Sequence, residues 1–82
     1  MNVYIACVSD TLVRLIEEAK ECELVITRSD DQAGSAYEQG RLDALTQSLH
    51  TWKNQIETFG LLVELGQVGQ GLVDFCRERG LP

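Results

Sequence analysis

Residues 42–59, Leu42-Asp43-Ala44-Leu45-Thr46-Gln47-Ser48-Leu49-His50-Thr51-Trp52-Lys53-Asn54-Gln55-Ile56-Glu57-Thr58-Phe59, carry large apolar side chains at alternating steps of three and four. An average step of about 3.5 residues keeps Leu42, Leu45, Leu49, Trp52, Ile56 and Phe59 on one side of an α-helix. The stretch therefore predicts a long amphipathic helix that buries one continuous seam. Trp52 is too bulky for the seam of a tight two-stranded coiled coil, so the seam points to a broader helical core or a dimeric bundle.

Working back from this stretch, Ser29-Asp30-Asp31 is the clearest break in the chain. Ser and Asp side chains compete for backbone donors, which ends one helix and caps the next. A carboxylate there also suits the positive end of a helix dipole. The second helix is thus expected from about Gln32 to Phe59, with Gly34 and Gly40 weakening its first turns. Ala33, Ala36, Tyr37 and Gly40 are positions where another helix is able to approach closely.

Residues 2–28 admit two readings. Ile5, Val8, Leu12, Leu15, Ala19, Cys22 and Ile26 again step by three and four, with Asp10, Arg14, Glu17, Glu18 and Glu21 on the opposite face. That is one long amphipathic helix, in which Asp10 with Arg14 and Glu17 with Lys20 lie one turn apart. The other reading takes the β-branched and aromatic runs Val3–Val8 and Leu24–Thr27 as strands flanking a helix from Thr11 to Glu21. It needs a turn at Cys22-Glu23, which has no Gly, Asn or Pro to make one. The long helix is preferred.

Working forward, Gly60-Leu61 and Gly80-Leu81 each place a hydrophobic residue after a glycine helix stop, the Schellman arrangement. Between them Leu61, Leu65, Val68, Leu72, Phe75 and Arg79 keep helical spacing. Gly66, Gly69 and Gly71 interrupt that run, which permits a close helix crossing or a kink. The fold class expected is all-α: two long antiparallel amphipathic helices and a third, glycine-containing helix in one domain spanning 1–82. An α+β fold with a small N-terminal strand–helix–strand is the alternative.

The 82 residues include 13 acidic and 7 basic side chains, a net charge of −6. Direct nucleic-acid binding needs clustered Lys and Arg and is not expected. No secretory signal is read at Met1-Asn2-Val3, and the apolar run Val3–Val8 is too short to cross a bilayer. Cys7, Cys22 and Cys76 are odd in number and widely spaced, as in reduced, half-buried packing residues of a cytoplasmic protein.

Chemistry-bearing patterns are sparse. A Cys–His nucleophile would have to pair one of the three cysteines with His50, and no nucleophile signature accompanies them. Neither the cysteines nor the acids have zinc or calcium ligand spacing; Asp30-Asp31 reads as a helix cap. Gly66–Gly71 lacks the preceding strand and following Lys of a phosphate loop. No cofactor or metal is expected.

The expectation is a non-catalytic protein-binding domain: a small acidic inhibitor or adaptor that docks on a basic, nucleic-acid-handling protein. Compact acidic inhibitors of phages and mobile elements, anti-CRISPR proteins among them, share its size and charge, an analogy and not a motif match. Asp10, Glu17, Glu18, Glu21, Asp30 and Asp31 are the expected partner contacts. The alternative is a homo-oligomeric helical scaffold, a homodimer being its simplest form, that associates through Trp52, Ile56 and Phe59.

Overall fold

In the computed structural model, which describes residues 2–82, the chain is built of α-helices, and no strand forms among the described residues. Helix α1 runs Val3–Arg28, with Asn2 as its N-cap: the Asn2 side-chain oxygen accepts the Tyr4 N–H at 2.7 Å. The predicted apolar seam of this helix is the buried one, with Leu12, Ala19 and Cys22 fully inside and Ile5, Val8, Leu15 and Ile26 partly so. Residues Val3–Val8 and Leu24–Thr27 are thus helical. Their β propensity is overridden by a helical period that buries one side of each run.

Ser29, Asp30 and Asp31 make the turn. Ser29 closes α1 through its N–H to the Ile26 carbonyl, and its hydroxyl accepts the Asp31 N–H at 3.2 Å. Asp31 then caps helix α2, Gln32–Thr58, by accepting the Ala33 N–H at 3.0 Å. A link of three residues leaves no room for a crossover, so α1 and α2 pack side by side and antiparallel.

The inward line of α2 differs from the predicted one. Leu42, Leu45, Leu49, Lys53 and Ile56 face the core, whereas Trp52 is 38% exposed and Phe59 71% exposed. A straight helix advances about 3.6 residues per turn, so a strict 3.5 repeat drifts off the packed face within a few turns. Position 53 therefore replaces position 52 on the inner line, and Phe59, the C-cap, points outward. Lys53 is only 7% exposed. Its stem packs inside while its ammonium reaches Glu57 Oε1 at 3.1 Å and the Pro82 carbonyl, so the buried charge is partnered.

Both glycine stops form Schellman motifs. Leu61 N–H donates to the Ile56 carbonyl and Gly60 N–H to Glu57; Leu81 and Gly80 repeat this with Cys76 and Arg77. Gly60 and Gly80 take φ of 70° and 71°, where a side chain is strained. The third helical stretch is broken at Gly66 (φ 57°) into a single turn, α3 (Leu62–Leu65), and α4 (Gln67–Glu78). Gly69 supplies the close approach: a Cβ there would lie 2.8 Å from the Leu62 carbonyl oxygen and 3.2 Å from Leu65 Cβ. Gly40 and Gly71 meet nothing within 4 Å, so the close approach expected at Gly40 does not occur.

Helix α4 lies across both long helices, completing a core of Leu12, Ala19, Leu49, Ile56, Leu65, Leu72, Phe75 and Cys76. Burying each of the larger side chains is worth about 1.5–3 kcal/mol. Arg79 pins the end of α4 to α1. Its guanidinium grips the Glu23 carboxylate in a two-pronged pair (Nε to Oε2, 2.9 Å), donates to the Phe75 carbonyl and stacks on the Phe75 ring. The hairpin helices are about 39 Å long and α4 only about 18 Å, which leaves a flat molecule of 44 × 24 × 16 Å.

Two neighbouring glycines separate packing from propensity. Gly71→Ala is expected to raise stability by up to ~1 kcal/mol, the gain in helix propensity, and Gly69→Ala to lower it by about 1–3 kcal/mol through overpacking. Urea denaturation of the two variants checks both signs.

Candidate functional site

The outer edge of α1 lies opposite its buried seam, and at Glu17 it borders a hollow shared with Gln67, Val68 and Gly71 of α4. Asp10, Glu17 and Glu21 share it, because steps of seven and four return to the same side of a helix. Asp10 is engaged there by Arg14, whose Nε lies 3.0 Å from its carboxylate, an exposed pair of little energetic weight. Glu17 and Glu21 have no cation within 4.0 Å among the described residues. Lys20, expected to pair with Glu17, turns instead toward α4, beside Val68 and Gly71. Arg28 is the other base on this edge.

Glu18 is not part of that row. One step from Glu17 rotates it by about 100°, toward α2, where it lies 3.9 Å from Arg41. Arg41 also approaches Glu38 at 3.6 Å, so this small ion cluster bridges the hairpin. Asp30 and Asp31 sit at the hairpin tip, around a shallow hollow lined by Ile26, Ser29, Gln32 and Ser35. Asp31 is occupied as a helix cap, while Asp30 is exposed with no cation partner among the described residues. Of the six acids singled out from the sequence, the fold leaves Glu17, Glu21 and Asp30 free along one edge and its tip. It ties Asp10, Glu18 and Asp31 into local contacts.

The three apolar residues of the expected self-association seam also separate. Ile56 is 3% exposed and belongs to the core, while Trp52 and Phe59 face outward. Trp52 borders an open hollow with Ser48, Thr51 and Gln55, all on α2.

Cys22 and Cys76 are buried and Cys7 is exposed, not half-buried as expected, since position 7 lies off the inner line of α1. Burial pushes the Cys22 thiol up, and the Glu38 carboxylate beside it acts in the same direction. Burial likewise raises Cys76, against the opposing pull of Lys53 and Arg79. An activated nucleophile needs the opposite shift. His50 Nε2 faces the Asn54 amide at 3.4 Å.

Two polar features central to the fold were not read from the sequence. Lys53 occupies a core position of the 3.6 period, four residues after Leu49 and three before Ile56, and that spacing was the available signal. The Arg79–Glu23 pair joins residues 56 apart in the chain, and no local pattern announces it. Comparison with models of protein families, with curated proteins and with solved structures finds no match to this chain.

A thiol-reactive dye is expected to label Cys7 rapidly in the folded protein and Cys22 and Cys76 only after denaturant is added. Because the folded thiols of Cys22 and Cys76 sit above their ordinary range, their neutral forms favour the fold. Stability should hold below about pH 8.5, the ordinary thiol value, and fall as pH rises beyond it. Thermal melts across that range test the sign.

Proposed function

We propose that this chain is a non-catalytic protein-binding domain, a small acidic inhibitor or adaptor that uses the outer edge of α1 and the hairpin tip to engage a basic surface on a larger protein. The observation that carries the reading is the free edge: Glu17, Glu21 and Asp30 are exposed carboxylates without cation partners among the described residues. Glu17 and Glu21 are held at fixed spacing by α1, whose inner side is locked into the core, and Asp30 sits in the short capped turn that follows. A carboxylate with no intramolecular partner remains available to a lysine or arginine of another molecule, and a rigid array loses little entropy on binding.

A basic surface that normally holds phosphates would match such an array, which makes a nucleic-acid-handling protein the favoured partner class. Its size and charge fit the phage or mobile-element inhibitor type, anti-CRISPR proteins included. No helix of the described residues is long and apolar enough to cross a membrane. The odd, dispersed cysteines support placement in the reducing cytoplasm.

Affinity capture with the tagged protein at low and high salt, alongside the variant Glu17→Lys/Glu21→Lys/Asp30→Lys, tests this. The three positions are exposed, so the fold should survive substitution. A basic protein captured by the native chain, released at high salt and missed by the variant, is the expected result. Equal capture by both proteins would contradict the electrostatic edge.

A further inference from the structure

The face of the α1–α2 hairpin opposite α4 carries most of the chain's aromatic side chains. On α1, Tyr4, Thr11, Glu18 and Val25 recur at intervals of seven; on α2, Tyr37, Arg41, Ser48, Trp52, Gln55 and Phe59 form the matching stripe. All ten are exposed, and the Glu18–Arg41 contact shows that the two stripes flank one seam. The other side of the same seam is marked by Lys53 and Glu23, which reach Pro82 and Arg79 near the end of α4. Of the five aromatic residues in the chain, Tyr4, Tyr37, Trp52 and Phe59 lie on this open face and only Phe75 lies in the core.

We infer that this face is the interface of a homodimer. The inference goes beyond the acidic-edge reading and does not depend on it, because the edge is a separate stripe of α1, turned by about 100° from this face.

Two observations select a second copy as the occupant. The first is charge. With a net charge of −6, one copy repels another over most of its surface. On this face the charged groups reduce to one cluster, Arg41 between Glu18 and the half-buried Glu38. A two-fold interface must be self-complementary, and a cluster holding both signs near the middle of the hairpin allows Arg41 of each copy to meet Glu18 of the other. The surrounding Thr11, Ser48 and Gln55 are neutral, and aromatic enrichment with few charges is the composition of an interface centre.

The second is area. A compact monomer of 9.1 kDa exposes about 4,900 Å², whereas this chain exposes 5579 Å², an excess of roughly 700 Å². A stable interface takes about 800 Å² from each partner. The radius of gyration agrees, at 13.9 Å against about 12 Å for a compact chain of this length. One side of a two-layer dimer accounts for both differences.

Sedimentation equilibrium from low micromolar to several hundred micromolar protein, with the emission of the single tryptophan followed in parallel, tests the assignment. The mass is expected to rise toward twice 9.1 kDa while Trp52 emission shifts to the blue as the residue leaves water. Tyr37→Glu, at a position 71% exposed, should stay monomeric with unchanged helical circular dichroism. Val63→Glu, at a position 91% exposed on α3, should dimerise like the native chain. A mass that stays at one chain throughout overturns the inference. So does a dimer whose Trp52 emission does not move, or one that a folded Tyr37→Glu variant leaves intact.

Discussion

The three-residue turn Ser29-Asp30-Asp31 is the constraint on which the rest of the structure depends. It stops α1, starts α2 with a side-chain cap, and is too short to allow any arrangement but an antiparallel hairpin. Once the hairpin is set, the register that brings Leu12 and Ala19 into one core with Leu49 and Ile56 also determines what remains outside. Both the acidic edge and the aromatic face follow from that single geometry, because each is a stripe of a helix whose opposite side is spoken for.

A hairpin of two helices buries only one face of its groove, and α4 supplies the cover. Its attachment is largely polar where it meets the hairpin ends: Arg79 on Glu23, and Lys53 on the final carbonyl and Glu57. Such contacts add direction to an apolar core that would otherwise let a short helix slide. Gly66 breaks the chain so that α4 changes course, and Gly69 lets it settle against the turn before it. The glycine-rich segment is thus a packing device, and each of these two glycines has a separate task.

How much of this was legible in the sequence depends on how local the controlling interaction is. The α1 seam was readable residue by residue, because seven apolar positions and five charged ones obey the same period. The cap at the Ser29-Asp30-Asp31 break and both glycine stops were readable for the same reason, since each is decided within about six residues, whereas the Asn2 cap of α1 was not singled out. The α2 seam was only half readable. Leu42, Leu45, Leu49 and Ile56 are inside, yet choosing Trp52 and Phe59 over Lys53 required knowing that the helix runs straight and that a lysine would find an acceptor at the far end of the chain. Glu17 and Glu18, equivalent as neighbours in sequence, fall on different sides of α1, about 100° apart. Which acids were free was a property of the hairpin and not of composition.

We propose that α1 divides its labour: its inner seam holds the fold, and its outer edge with the hairpin tip is where a basic partner would dock. Chemical-shift mapping of the ¹⁵N-labelled protein during titration with a short arginine-rich peptide examines that division at residue resolution. Salt-sensitive shifts are expected on amides near Glu17, Glu21 and Asp30, with α4 beyond Gly71 unmoved. Shifts spread evenly over all the acidic residues, or centred on α4 beyond Gly71, would contradict it.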